Sequence, residues 1–134
     1  MAQDRFALEM GITLIEVREG YARASMEIQP RHHNGVGTAQ GGAIFTLADL
    51  AFAAAVNSHG TIAVAINVSI SFLKAVSGGT IFAEAREIAV GPKLASCTVH
   101  VTDGTGTLVA VFQGMAYRKK EPISEMLKNQ KDTA

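Results

Sequence analysis

The chain has 134 residues, of which 48% are hydrophobic, and its 12 basic and 12 acidic side chains give a formal net charge of zero. This length suits one compact domain, so we expect a single domain over residues 1–134 that ends in a polar tail at 119–134. A neutral chain has no long-range field to collect a polyanion, which argues against nucleic acid as the main ligand. The single cysteine, Cys97, excludes an internal disulfide, and no signal-peptide pattern stands at the N-terminus, so we expect a cytoplasmic protein.

The first half of the chain predicts a hairpin, a loop and a helix. Two alternating runs, 12–18 and 21–29, flank a Glu-Gly pair and predict a β-hairpin, and the glycine-containing segment 30–40 predicts a shaped loop. From 42 to 58 apolar residues occur on every side of the predicted helix, and Gly60 is its expected C-terminal cap. This apolar run is shorter than the roughly 20 residues of a membrane span and is interrupted by Asp49, so it predicts a buried helix and no membrane partner.

The second half predicts strands. After the helix, alternation predicts a half-buried strand with one apolar face, formed by Val64, Ile66, Val68, Ile70 and Phe72. Turn signals then separate candidate strands at 80–89, 94–102 and 107–118, which predicts an antiparallel meander. The expected architecture is α+β, with one long apolar helix packed on a curved antiparallel sheet of about six strands. Such a helix needs more cover than one small sheet supplies, so a two-fold homo-oligomer is expected.

Asp49 is the residue that most needs a partner or a role. A carboxylate inside an apolar helix loses several kcal/mol of hydration if it is buried unpaired. Helical spacing places it on the side of Phe45, Phe52 and Ala53, with no basic residue between 42 and 58. It either bonds a neighbouring strand or subunit, or it acts as a general base whose pKa is raised by burial.

The segment before the helix, NGVGTAQGG at 34–42, is the second candidate feature. Gly41 and Gly42 lie where the loop becomes the helix, so their N–H groups could approach a carbonyl oxygen closely and stabilise its developing charge. The alternative is that the glycines simply form a tight turn.

The spacing of the remaining candidate residues argues against a metal site and a serine-hydrolase site. His32 and His33 are adjacent, so they point to opposite faces of an extended chain and do not chelate one metal ion. Ser58 and His59 lack the G-x-S-x-G elbow of a serine hydrolase. His100 alternates with valines and is read as an outward-facing strand residue.

Several of these residues together resemble the hot dog fold thioesterases of the phenylacetyl-CoA thioesterase (PaaI-type) family. The resemblance covers about residues 10–118 and rests on six segments. They are Asn34-Gly35, Gly41-Gly42, the helix motif from Leu47 through Ala53, the pair Asn57-Ser58, the strand end Ile70-Ser71-Phe72-Leu73-Lys74, and the turn Gly91-Pro92-Lys93-Leu94-Ala95. A hot dog hydratase usually has a histidine five residues after the acid, but Ala54 stands there.

The resemblance implies a helix wrapped by a sheet, paired as a dimer or a dimer of dimers, with active sites between subunits. It implies that Asp49 activates water or attacks directly, that the Gly41 N–H polarises the thioester carbonyl, and that Asn34 of the partner subunit helps to place water or the carbonyl. Neither a metal nor a redox cofactor is required.

This chain departs at one position from many members of the family that it resembles, since Gln40 stands where they have a histidine before the Gly-Gly pair. Glutamine cannot take up a proton but can still form hydrogen bonds, so Gln40 is expected to shape the substrate site together with Gly42. Lys74 and Lys93 are candidate contacts for coenzyme A phosphates.

We therefore expect an acyl-CoA thioesterase for aryl or medium-chain acyl groups. The alternative is a non-catalytic acyl-CoA binding module or sensor, and a third reading is an oligomeric scaffold without affinity for coenzyme A.

Overall fold

A computed structural model describes residues 4–124 of the chain. Its helices are α1 (Arg5–Glu9), α2 (Gly41–Val56) and a single 3-10 turn at Pro30–His32. Its strands are β1 (Ile12–Arg18), β2 (Tyr21–Glu27), β3 (Thr61–Phe72), β4 (Thr80–Val90), β5 (Leu94–Thr102) and β6 (Leu108–Pro122). All neighbouring strands are antiparallel, in the order β1-β2-β4-β5-β6-β3. The predicted α+β architecture, a long helix on a curved antiparallel sheet, is confirmed.

Helix α2 lies across the inner face of the sheet, and 10 of its 16 residues are buried, as its apolar pattern predicts. It begins at Gly41 because the Gln40 carbonyl accepts the first helical hydrogen bonds. Its C-cap is Asn57 and not Gly60, since the Asn57 amide donates to the carbonyls of Ala53 and Ala63. Gly60 instead has a positive φ of 88° in the turn that leads into β3.

The strand order corrects the expected meander, which holds only for β4, β5 and β6. Strand β3 pairs with β6 at one edge of the sheet, and β4 pairs with β2. The connection at 73–79 does not close a hairpin, because its Val76 carbonyl accepts the Ala39 N–H at 2.7 Å. That hydrogen bond holds the connection against the loop before α2. Strand β4 therefore joins the sheet beside β2 and not beside β3.

Strand β3 does not have the single apolar face that its alternation predicts. Between Val64 and Val68 a bulge gives β3 one residue more than its partner β6, so these two valines lie on opposite faces. Val64, Ile66 and Phe72 are exposed. Among residues 4–124 β3 is also an edge strand, so its outer backbone groups have no partner strand there and lie beside these exposed apolar side chains.

The two ends of the chain also differ from expectation. No element is predicted before residue 12, but α1 forms there, and its N-cap Asp4 accepts the Ala7 N–H at 3.1 Å. Only Ala7 of this short helix is buried, so no periodic pattern marks it. At the other end β6 continues to Pro122, so part of the predicted tail is strand, and residues 125–134, where a terminal helix is expected, lie outside the described residues.

The core packs very tightly at Gly114 of β6, where the fully buried ring of Phe52 fills the space that a side chain on residue 114 would occupy. A Cβ atom on Gly114 would lie 2.6 Å from Cε2 of Phe52, which is closer than carbon atoms approach. The ring also contacts Phe112, with the two ring centroids 5.5 Å apart. The glycine is therefore required by packing and not by backbone conformation.

Replacing this glycine is expected to destabilise the fold. Gly114→Ala overpacks a core whose ring cannot move aside, which lowers the free energy of unfolding by about 1–3 kcal/mol. Urea unfolding at one fixed protein concentration measures this, with Gly104→Ala as control because no atom lies within 4 Å of its Cβ position. Equal stability of the two variants would contradict this account of the packing.

Candidate active site

One stripe of α2 is left partly uncovered by the sheet. Its members are Gly42, Phe45, Thr46, Asp49 and Ala53. They recur at intervals of three or four residues and so share one face of the helix. Phe52, which was expected on the side of Asp49, points into the sheet instead and is fully buried.

The Asp49 carboxylate is half-buried on this stripe. Within residues 4–124 no hydrogen bond and no cation stabilises its charged form. Burial raises its pKa above the ordinary range for aspartate, and the negative charge of Asp4 in front of α1 raises it further. An unpaired carboxylate with a raised pKa can accept a proton from water.

The start of α2 offers free donors. Gly41 and Gly42 are its first two residues, and their N–H groups have no backbone acceptor among residues 4–124. They lie at the positive end of the helix dipole. The ring of Phe72 stands beside them, since a Cβ atom on Gly41 would lie 3.0 Å from Cζ of that ring. An oxygen that accepts the Gly41 N–H would therefore be held next to an aromatic side chain.

A groove of about 330 Å³ opens at this helix start. Its lining residues are Thr38, Ala39, Gly41, Ile44, Phe72, Leu73, Lys74 and Ala75. Most of them are apolar. The groove joins the loop before α2 to the segment after β3, so it depends on the crossing connection that the sequence did not predict.

Asn34 organises the loop before the helix. Its Oδ1 accepts the N–H groups of Val36 and Thr38, at 3.0 and 3.2 Å, and its Nδ2 donates to the Thr38 hydroxyl at 2.9 Å. These bonds fix the orientation of the amide. Because Nδ2 carries two hydrogens, one N–H remains for an external acceptor. Asn34 is thus arranged to donate to a carbonyl or a water.

Gln40 precedes the helix as its N-cap residue, but its side chain makes no capping hydrogen bond. Its backbone N–H donates to the His32 carbonyl at 2.7 Å, which fixes the residue in the loop. The side chain is exposed, and its Oε1 would lie 3.9 Å from a Cβ on Gly42. The structure therefore places Gln40 beside the free N–H groups.

The two predicted lysines differ in their surroundings. Lys74 lines the groove, but its ammonium donates to Asp103 at 2.6 Å, and this bond holds the pKa of Asp103 well below its usual range. Lys93 is exposed in the turn between β4 and β5 and makes no ion pair within the described part of the chain. A negatively charged ligand thus meets a neutralised lysine at the groove and a free one at the turn.

Sequence reasoning missed a buried charged cluster beyond the C-terminal end of α2. Glu87 of β4 has a side chain only 3% exposed, and its Oε1 lies 2.5 Å from Nε2 of His59. Its Oε2 lies 3.9 Å from Nη2 of Arg118, whose side chain is turned inward. These two atoms and the Thr61 hydroxyl are the buried side-chain polar atoms that lack a hydrogen-bond partner among the described residues.

The adjacent residues His32 and His33 form hydrogen bonds with different parts of the chain, as expected of neighbouring side chains that point in opposite directions. His32 is buried, with Nδ1 accepting the Gln29 N–H and Nε2 donating to the Met10 carbonyl at 2.7 Å. His33 is exposed and bonds the Ser77 carbonyl. Between residues 4 and 124 no three His, Cys, Asp or Glu side chains converge in a way that could hold a metal ion.

This chain is similar in sequence to a known protein family and to individual known proteins. Residues 36–110 match the family model of the thioesterase superfamily. The acyl-coenzyme A thioesterase PaaI of Escherichia coli is 34% identical over 116 residues, which are 86% of this chain and 83% of that protein. A protein of Archaeoglobus fulgidus is 43% identical over 109 residues, 81% of this chain and 71% of its own.

Two solved structures have a fold similar to that of this chain. The E. coli PaaI structure has a TM-score of 0.87 at 33% identity, covering 90% of this chain and 88% of that one. A Streptococcus mutans protein bound to acetyl CoA has a TM-score of 0.79 at 26% identity, covering 83% and 90%. The class is therefore a thioester hydrolase with the hot dog fold. Within the thioesterase superfamily, the chain belongs to the PaaI-type family.

Among residues 4–124, every helix is too short or too polar to cross a membrane.

Proposed function

We propose that this protein is an acyl-CoA thioesterase that hydrolyses aryl- or medium-chain acyl-CoA to a free acid and CoA. The observation that carries the proposal is the half-buried Asp49, whose carboxylate is unpaired within the described chain and whose pKa is raised by burial. A purely structural carboxylate at such a position needs a partner that offsets its lost hydration. The family relationship supports a hydrolytic use for it.

The chemistry follows from the two polar features of α2. Asp49 takes a proton from water while the water oxygen adds to the thioester carbon. The charge that develops on the carbonyl oxygen is stabilised by the Gly41 N–H at the positive end of the helix. When the tetrahedral intermediate collapses, the carbon–sulfur bond breaks and the proton passes from Asp49 to the departing thiolate. The products are the acid and CoA.

Two copies of the chain complete one site in this proposal. Gly41 and Asp49 are eight residues apart on one helix, or about 12 Å along its axis. That separation favours a thioester held between Gly41 of one subunit and Asp49 of a second. The exposed apolar edge of β3, with Val64, Ile66 and Phe72, is the surface that supports pairing with a second copy.

The remaining residues take supporting roles. Asn34 donates its remaining N–H to the attacking water or to the carbonyl. Gln40 and Gly42 shape the entrance beside the oxyanion position. Lys93 contacts the phosphates of CoA, and Lys74 contributes less because Asp103 already neutralises its charge.

Release of free thiol from a panel of aryl- and alkyl-CoA esters tests the function. Turnover that depends on Asp49 supports the thioesterase. Saturable binding of the esters without turnover would favour a binding module or sensor instead. The absence of both would overturn any assignment to CoA esters.

The raised pKa of Asp49 makes a second prediction, on pH. Only ionised Asp49 is the base, so kcat/KM rises with pH as Asp49 loses its proton. The Asp4 charge is one of the two causes of the raised pKa, so Asp4→Asn moves this rise to lower pH. Asparagine still caps α1. Glu9→Gln, an exposed change on the same helix, is the control, and an unmoved profile in Asp4→Asn would contradict the coupling.

A further inference from the structure

His32 is a buried polar side chain that takes no step in the proposed reaction. Only 2% of the residue is exposed, yet both ring nitrogens are bonded. Nδ1 accepts the Gln29 N–H at 2.9 Å, and Nε2 bonds the Met10 carbonyl at 2.7 Å. Because a backbone N–H only donates and a carbonyl only accepts, these bonds define a neutral imidazole with its proton on Nε2. The ring is therefore fixed through both of its nitrogens.

His32 also stands at the base of the loop that carries two of the proposed site residues. An isolated antiparallel bridge between the two ends of 33–39 folds this loop back on itself. One residue further out, the Gln40 N–H donates to the His32 carbonyl at 2.7 Å and closes the base. Asn34 follows His32 by two residues, and Gly41 follows Gln40 directly. Both proposed donors therefore leave the loop next to its closed base.

The imidazole joins this loop base to a distant part of the chain. Met10 is the C-cap residue of α1 and is 22 residues from His32, whereas Gln29 lies only three residues away, in the same turn. Neither partner lies in a strand, so neither bond belongs to the sheet. The neighbouring Arg31 also bonds α1, through the Glu9 carbonyl, but that bond is exposed to water and is weaker than a buried one. The buried bond to Met10 is thus the ring's long-range restraint on the loop.

We propose that His32 is a positioning residue, whose buried ring holds the loop base against α1 and thereby fixes the Gly41 N–H and the Asn34 amide for the reaction. The inference rests on the proposed function, because these two groups are the donors assigned there. Donors that are held in place before the reaction stabilise its transition state, and a displacement of about 1 Å can cost a factor of about 100 in rate. Freeing the loop base should therefore lower kcat more than it raises KM.

Three variants separate the two ring bonds from the packing of the ring. The amide of glutamine reaches as far as Nε2 and can still donate to Met10, whereas the shorter amide of asparagine reaches only as far as Nδ1 and can still accept from Gln29. His32→Asn is expected to lower kcat by about 10- to 100-fold with KM changed less than about threefold, and His32→Gln to stay within about threefold of the parent. His32→Leu fills the space without either bond and should resemble His32→Asn. A role in packing alone would instead let leucine serve as well as glutamine.

Thiol release from phenylacetyl-CoA by the full-length protein, measured with the unfolding midpoint, gives these constants. His100→Leu is the control, because that histidine is exposed on β5, opposite Glu84 of the neighbouring strand. A loss of kcat in the asparagine and leucine variants but not in the glutamine variant supports the proposal. An equal kcat in all three, whether retained or lost, or a loss confined to KM, overturns it. If His32→Leu does not fold, the comparison of His32→Asn with His32→Gln decides alone.

Amide hydrogen exchange tests the same anchoring without any turnover. The Gln40 N–H is bonded to the His32 carbonyl and the Asn34 N–H to the Thr38 carbonyl, each at 2.7 Å, so both report opening of the loop. Both should exchange about 5- to 150-fold faster in His32→Asn than in His32→Gln, the factor for leaving a buried hydrogen-bonding group unpaired. The buried Val99 of β5 reports global unfolding and should change less. This result supports the anchoring even if the parent hydrolyses no CoA ester, and equal exchange in the two variants overturns it even if the parent is an active thioesterase.

Discussion

Asp49→Asn is expected to lower kcat for CoA-ester hydrolysis by about 10²- to 10⁴-fold, the usual contribution of a positioned general base. Asparagine keeps the size of the side chain and cannot take the proton of the attacking water. The free energy of unfolding should not decrease, because the parent carboxylate has no partner to lose within the described chain and is partly desolvated. Thiol release, measured with the unfolding midpoint and the oligomeric state, checks these statements together.

A matched control separates the loss of this carboxylate from the loss of any carboxylate. Glu84→Gln makes the same chemical change on the outer face of β4, where Glu84 bonds Tyr21 and Arg86. Its activity should equal that of the parent. If Asp49→Asn retained activity within about twofold of Glu84→Gln, the base would have to be another residue. An acyl adduct on Asp49, found by mass spectrometry during turnover of the parent, would indicate direct attack in place of water activation.

The parts of the fold that could be predicted are those with a strong local pattern. The run 42–58, which is apolar on all sides, predicts a helix, and α2 forms there over Gly41–Val56. Glycine-containing turns separate β4, β5 and β6 at the expected places. The position of β3 could not be predicted, because the bond between Ala39 and Val76 that redirects the chain joins distant segments. The bulge in β3 was equally hidden, since an extra residue is visible only against the partner strand.

The candidate site likewise contains some residues that the sequence indicates and others that only tertiary contacts define. Asp49 stands out in the sequence as a lone charge in an apolar run, and Gly41 stands at the expected helix start. The internal bonds of Asn34 and the pairing of Lys74 with Asp103 depend on tertiary contacts and left no sequence signal. Glu87 did leave one, since a period of two carries it from the buried Ala83 and Ala85 onto the inner face of β4, but an acidic residue in a strand is ordinarily read as exposed.

Glu87→Ala is expected to lower the free energy of unfolding by about 3–5 kcal/mol, because removing one member of a buried ion pair leaves the other uncompensated. His59 would lose its partner at 2.5 Å and keep only the exposed Glu19 at 3.5 Å. The inward-facing Arg118 would lose the carboxylate that lies within 4 Å of it among the described residues. Urea unfolding at fixed protein concentration measures the change. Glu16→Ala in β1 is the control, since its side chain is 50% exposed and its pair with Arg18 contributes about 0–1 kcal/mol.

Removing both charges distinguishes a stabilising ion pair from one that is merely costly to break. Replacing a buried pair by apolar residues of similar volume is often neutral or stabilising. The double variant Glu87→Leu with Arg118→Leu should therefore be more stable than Glu87→Leu alone. Two atoms of this pair, Glu87 Oε2 and Arg118 Nη2, point the same way, since each is buried without a hydrogen-bond partner among the described residues. A double variant less stable than either single variant would show instead that the charges stabilise the fold independently of each other.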